Sequence, residues 1–528
     1  MRLGPLTLLL CALLAAACSR PAKDEGWWQM RGIVLSTKEL AEVDWPAIAA
    51  GNGINTIGTH ITPSEVLGFL ETEEGRAFTA ACRKQGITVE HQLHAMGELL
   101  PRELFSEDPE MFRMDSSGVR TADCNCCVHS EKALSIIATN AARLAKQLRP
   151  GNHRYYFWLD DNAPVCCCPL CREFSPSEQA LIVENRMLRE IRKVDSKARL
   201  AHLAYSHFMD PPVKVQPEEG IFLEFAPIYR SWDVPLVVED ALCPRGYPVS
   251  NGDNLRWLEA NLQVFDAEDA VVLEYWLDAS LFSRWKRPAA ELPWRADVCR
   301  SDMATYARYG IRNVTSFAVY MDAEYFERFP SKAPVEEYGA MLRSFRHFRG
   351  LSDPWDGLED ETQVSVCSDG SELSFCFEVP DSTLVVTDGP SERSVDFSDR
   401  AEIFLSCDPA MARYYGFEID LSGKVMDYAC AFYRQFDYSW TGDVKAVGQL
   451  VDGGYRVVAT FDMDYLRSLG LVQPDGAILM GLFRADALGP DPISPDGTAT
   501  EIRWYTLRDP HTPEPDFHIP ATFFPYQL

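Results

Sequence analysis

A chain of 528 residues is too long for one hydrophobic core, so two or three domains are expected. Its composition, 46% hydrophobic and 24% charged, is that of an ordinary globular protein. A net charge of −28 argues against a nucleic-acid partner and against electrostatic docking on anionic lipid.

The first residues read as an export signal. Arg2 supplies a positive charge, residues 6–17 form a short apolar stretch, and small residues lead up to Cys18. The stretch is too short to persist as a membrane-spanning helix. Small residues ahead of a cysteine resemble a bacterial lipoprotein signal at residues 1–18. That resemblance implies lipidation of Cys18 and a lipid anchor in the bacterial outer membrane, facing the periplasm or the surface. Cleavage after Ala17, with Cys18 merely nearby, is the alternative. Residues 19–30 form a linker carrying Lys23-Asp24-Glu25, which resembles a lipoprotein surface-export cluster.

From Gly32 onward strand-like and helix-like segments alternate, the pattern of a parallel sheet. Strands are expected over 32–36, 56–61 with His60, 87–94 with Glu90, His91 and His94, and 155–159. Four more are expected over 199–205, 220–226 with Glu224, 270–276 with Glu274, and 314–320, followed by Asp322. Helices are expected over 64–84, 131–148, 177–194, 254–265, 296–309 and 335–348. Eight such units over 31–350 predict a (β/α)8 TIM-like barrel. Near Ser352 helical periodicity stops. Short strands over 363–368, 373–379, 401–407, 415–420, 425–432, 455–462 and 478–484 predict a C-terminal β-sandwich over 352–528. The fold class is α/β plus all-β.

The chemistry is concentrated at residues 155–171, YYFWLDDNAPVCCCPLC. A buried strand that ends in acids is how barrel enzymes place reactive groups. Asp160 and Asp161 are adjacent, so in extended geometry only one faces a cleft. Glu224 and Glu274 are flanked by large apolar groups, where a carboxylate is costly without a partner or a task. Two carboxyls flanking one bond are what glycoside hydrolysis requires. Asp161, or Asp160, is nominated as the acid, Glu274 as nucleophile or base, and Glu224 as the reserve base. His60, His94, Tyr205, Trp276, Asp278 and Asp322 are nominated to bind substrate. The same acids serve equally as helix caps, and strand-end histidines are often only hydrogen-bonded. A non-catalytic surface glycan-binding protein is therefore the alternative. No cofactor for catalysis is expected.

Of sixteen cysteines, seven form two dense clusters, Cys124/Cys126/Cys127 and Cys166/Cys167/Cys168/Cys171. The Cys166-x-Cys168-x-x-Cys171 spacing suits chelation, and one thiolate from the first cluster would complete a tetrahedral structural zinc site. Disulfides between the clusters, favoured in an exported protein, and free thiols are the alternatives. Zinc or disulfides would alike pin the loop after Asp160 and Asp161.

His94-Ala95-Met96, Leu99-Leu100-Pro101-Arg102, Cys127-Val128-His129-Ser130, Asp160-Asp161, the Cys166/Cys168/Cys171 spacing and Phe222-Leu223-Glu224-Phe225-Ala226-Pro227 resemble one family, domain of unknown function 4838. The resemblance covers about residues 32–349. It implies a glycoside-hydrolase-like barrel, a carbohydrate substrate, and Cys127 as the fourth cysteine. Asp399–Leu405, Tyr414–Asp420 and Asp516-Phe517-His518-Ile519-Pro520 are similar to family 9 carbohydrate-binding modules. That likeness makes Tyr433, Trp440 and Trp504 candidates for stacking on sugar.

Overall fold

The computed structural model describes residues 26–490 and 500–528. The expected signal, Cys18 and the linker up to residue 25 lie outside the described residues. Eight parallel strands close into a barrel: β1 (Met30–Ser36), β2 (Thr56–His60), β3 (Thr88–His94), β4 (Arg154–Trp158), β5 (Arg199–Ala204), β6 (Ile221–Phe225), β7 (Val271–Glu274) and β8 (Asn313–Phe317). Pairing of β1 with β8 seals the ring.

The non-alternating composition of β4 has a simple cause: both of its faces are covered. Tyr156 and Trp158 point into the barrel, packing with Phe222, Val271 and Leu273. Tyr155 and Phe157 point outward into the helix layer. Gly32 marks a tight place inside the ring, where a Cβ would meet the Thr315 Cγ2 at 2.5 Å.

The helix expected over 64–84 is two helices, Pro63–Glu71 and Glu73–Gln85. Thr72 makes the break. Its hydroxyl donates to the Phe69 carbonyl at 2.8 Å and accepts from Gly75 N at 3.0 Å, ending one helix and capping the next. Helix Pro176–Ile191 starts on a Ser175–Glu178 capping box with proline at its first position. Among the described residues no helix is long and apolar enough to cross a membrane.

The second sheet is antiparallel, has twelve strands, and begins at Arg346 rather than near Ser352. The helix expected to reach 348 stops at Ser344. There the Ser344 hydroxyl donates to the Ser368 carbonyl at 2.8 Å and accepts from Ser368 N at 2.9 Å. One core joins Val364, Phe375, Ile403, Phe417, Val457 and Leu482, residues from both halves of the sheet, so the sheet folds over itself as a sandwich.

Barrel and sandwich are packed directly together. Arg300, on helix Ala296–Arg308, pairs with Asp369, and with Glu372 at 2.7 Å. The Tyr526 hydroxyl donates to the Ser344 carbonyl at 2.9 Å. Cys367 and Cys376 of the sandwich are buried with the barrel core.

Candidate functional site

The carboxyl ends of the strands surround a cavity of about 340 Å³. Inward alternation supplies its floor: His60 from β2, His94 from β3, Trp158 from β4, Leu273 from β7 and Phe317 from β8. Residues just past the strands supply its walls: Asp161, Tyr205, Tyr275, Asp278, Trp285 and Tyr320.

The two histidines are oriented by carbonyls. His60 Nδ1 lies 2.7 Å from the Gln92 carbonyl and His94 Nδ1 lies 2.8 Å from the Leu159 carbonyl. A carbonyl only accepts, so each Nδ1 carries hydrogen and each Nε2 is the nitrogen turned away from the backbone. Burial, with the neighbouring His94, pushes the His60 pKa down to about 3, so His60 is neutral at physiological pH.

Asp160 and Asp161 diverge, as adjacent positions must. Asp160 turns away from the large cavity. It accepts from Arg102 Nη2 at 2.5 Å and Asn125 N at 2.6 Å, and its own N–H donates to Asn125 Oδ1 at 3.1 Å. It ties the end of β4 to the first cysteine segment. Asp161 faces the cavity. Its side chain is 58% exposed, accepts from the Tyr205 hydroxyl at 3.1 Å, and lies 3.8 Å from His94 Nε2.

Asp278 is the second cavity acid. Its Oδ1 accepts from Ser280 N at 3.0 Å and from the Ser280 hydroxyl at 2.6 Å, capping the turn Ala279–Phe282. Burial lifts its pKa to about 6. Tyr275 lines the same cavity, and burial, with the charges of Asp278 and Asp161 among its neighbours, pushes its hydroxyl pKa well up.

The other nominated acids do not line this cavity. Glu224 points inward but lies sealed below the floor, its Oε2 accepting from Trp158 Nε1 at 2.8 Å. Burial pushes its pKa well up, against the hydrogen bond from Trp158. Glu274 faces the opposite way from its neighbours Leu273 and Tyr275. It accepts from Arg230 Nη1 at 2.7 Å and from the Tyr306 hydroxyl at 2.5 Å in the buried helix layer. Asp302 shares Arg230 at 2.7 Å and accepts from Trp276 Nε1 at 3.0 Å. Trp276 therefore belongs to that layer too, and Tyr275 takes the place expected of it.

Asp322 is buried under Lys38, at 2.7 Å, and Arg287, at 2.5 Å, and caps helix Ala323–Arg328. Burial alone would raise its pKa, but the hydrogen bonds from Lys38, the Tyr325 backbone and Arg287 outweigh it and hold the carboxyl below the usual range. It braces the wall without facing the cavity.

Cys127, Cys166, Cys168 and Cys171 converge, all buried, with ligand atoms within 4.8 Å of one another. Zinc–sulfur bonds of about 2.3 Å in a tetrahedron set sulfurs about 3.8 Å apart. Cys127 Sγ lies 3.9 Å from Cys168 Sγ and 3.8 Å from Cys171 Sγ, well beyond the ~2.05 Å of a disulfide. The donor set fits a closed structural zinc site. Cys124, Cys126 and Cys167 stand outside this set.

In the sandwich only Tyr433 of the three nominated aromatics is exposed, at 48%, with its hydroxyl donating to Asp516 at 2.6 Å. Trp440 packs on Tyr415 and Phe417, and Trp504 packs on Phe517 under Arg400.

Sequence reasoning did not nominate Trp158, Tyr275, Trp285 or Tyr320 for the cavity. Tyr156 and Trp158 alternate inward, as do Leu273 and Tyr275, but both strands are buried on both faces, so the sequence does not show which parity is inward. Nothing local marks the loop residues Trp285 and Tyr320.

Fold and site together define a closed parallel barrel with an acid-bearing, aromatic-walled cavity at its carboxyl mouth and a β-sandwich docked behind it. The family model described as Domain of unknown function (DUF4838) matches residues 65–247, a span that includes Asp160, Asp161, the four converging cysteines and Glu224. Among solved structures, the chain is similar to the beta-N-acetylhexosaminidase from Bacteroides fragilis, at 10% identity over 57% of this chain and 62% of that one, TM-score 0.36. It is similar to an alpha-amylase from Lactobacillus plantarum, at 9% identity over 81% and 98%, TM-score 0.31. It is also similar to a family 9 carbohydrate-binding module from Caldicellulosiruptor kristjanssonii in complex with cellotriose, at 16% identity over 35% and 81%, TM-score 0.23. No curated protein matches the chain.

Proposed function

We propose that this protein is an exported, lipid-anchored glycoside hydrolase acting on a complex polysaccharide or oligosaccharide, with Asp278 and Asp161 as its acid pair. One observation carries the reading: two carboxyls in unlike surroundings share one aromatic-walled cavity. Pairs of carboxyls whose environments differ divide into acid and base. Asp278, buried and protonated up to about pH 6, donates to the leaving oxygen. Asp161, more than half exposed, attacks the anomeric carbon or activates water. This reverses the role expected for Asp161 and replaces Glu274, which has no access to the cavity. His60 and His94 offer Nε2 to sugar hydroxyls, and Trp285 and Tyr320 offer ring faces.

The test is turnover and binding on a panel of plant and host glycans. Asp161→Asn and Asp278→Asn should each lower kcat/KM by about 10²–10⁴-fold, with Kd for the same glycan within about threefold of wild type. Equal turnover by wild type and both variants would remove the pair. The sealed positions of Glu224 and Glu274 favour a second reading, a glycan-binding protein without catalysis. It predicts wild-type binding with no product from any glycan on the panel.

The anchor rests on the sequence around Cys18 alone. Cys18→Ser should move the protein from the membrane fraction to the soluble one; a variant that still sediments with membranes overturns it.

A further inference from the structure

A second groove, of about 620 Å³, opens beside the cavity. Trp285 lines both and stands as the partition between them. Its indole is 50% exposed. Arg284 and Trp285 both have φ of +54°, in the left-handed region that bulky residues avoid, and hydrogen bonds hold them there. Trp285 N donates to the Ser280 carbonyl at 2.7 Å and Arg284 N to the Leu281 carbonyl at 3.0 Å.

Two guanidinium groups line this groove, Arg245 and Arg284, both exposed. Arg245 lies 4.3 Å above the Trp285 ring and 5.6 Å from that of Tyr247. Neither has a carboxylate partner among the described residues. Other arginines at this end of the barrel are neutralised: Arg287 by Asp322, Arg230 by Glu274 and Asp302, Arg295 by Asp297. The groove's carboxylate, Asp233, acts on Arg295, whose guanidinium also donates to the Asp233 carbonyl at 2.7 Å. Two unpaired cations beside an exposed indole, in a protein of net charge −28, are a local reversal of sign. Ring stacking with a charge-assisted fork is how a protein holds a sugar that bears an anionic group.

We infer that the groove is a second subsite, which takes a sugar residue bearing a carboxylate or sulfate ester, one or two units along the glycan whose reacting bond lies in the cavity. The inference rests on the glycan reading of the cavity. The sugar ring lies beside Trp285, and its anionic group bridges Arg245 and Arg284.

Calorimetric titration of the full protein, in wild-type and Asp161→Asn forms, tests it with three hexasaccharides: oligogalacturonide (carboxylate only), sulfated galactan (sulfate only) and neutral galactan. At least one anionic hexasaccharide should bind about tenfold more tightly than the neutral one. In Arg245→Gln/Arg284→Gln that preference should fall to about one, with an unchanged melting temperature. The arm that loses its preference identifies the anion. Equal wild-type affinity for charged and neutral sugars overturns the subsite and leaves the cavity reading standing, as does a preference that survives in the double variant. Binding of none of the three also overturns the subsite.

Discussion

Asp278 meets two demands at once. One oxygen caps the turn Ala279–Phe282, while burial raises the pKa from 3.8 to about 6, a difference worth about 3 kcal/mol against the ionised form. The folded protein thus holds this proton more tightly than the unfolded chain. Its stabilising contribution is complete below about pH 4 and is lost as pH rises through about 6. Turnover that needs protonated Asp278 should fall over the same upper range. Asp278→Asn keeps a cap acceptor and removes the buried charge. It should raise the melting temperature at pH 7.5, leave it nearly unchanged at pH 4, and abolish the basic limb of the pH–rate profile. A lower melting temperature at both pH values would contradict this. Single positions were also where sequence reasoning ran out. Asp161, His60, His94, Tyr205 and Asp278 line the cavity. Glu274 and Trp276 sit one residue out of phase with Tyr275, and period-two alternation sends one-residue neighbours to opposite faces. The parity of β7 is not readable from residues 271–276, because both of its faces are apolar and covered.

The eight barrel strands were readable to within about three residues, because each is a short buried run and most are followed by a helical pattern. Strands of the sandwich that escaped notice have other causes. Lys445–Val451 is an edge strand with mostly exposed side chains, and Arg346–Asp353 follows a helix without a turn signal. The cysteine loops are held by neither strand nor helix. Asn125, with φ of +46°, pairs with Asp160 and sits one residue from Cys124 and Cys126, so the sulfur cluster and the end of β4 form one unit. We expect purified protein to carry about one zinc ion per chain by elemental mass spectrometry. Cys127→Ser should lose it and lower the melting temperature by about 5–10 °C. Disulfide-linked peptides joining these four cysteines in unreduced digests, with no metal present, would replace zinc by the oxidised alternative.

Barrel and sandwich share buried polar contacts as well as apolar ones. Arg300 is nearly buried against Asp369, whose side chain is 2% exposed, and Arg456 Nη2 donates to the Ser301 hydroxyl at 2.9 Å. Removing one partner of such a pair leaves an uncompensated charge, at a cost of about 3–5 kcal/mol. Arg300→Met should therefore separate one calorimetric unfolding transition into two, the sandwich melting apart from the barrel. A single transition at the wild-type temperature would show that contacts other than the Arg300 pair couple them. The two-part architecture was evident in the change from helical to strand periodicity near Ser352. The docking was not, because its residues lie far apart in sequence and only the folded chain brings them together.

The cavity floor belongs to the hydrogen-bonded ring of strands, but Arg245, Tyr247, Trp285 and Tyr320 ride on the connections that follow β6, β7 and β8. Descendants of this gene can therefore trade those connections, lengthen them or reverse their charge without disturbing the ring beneath. Diversification of the cavity would be expected to leave its marks there first.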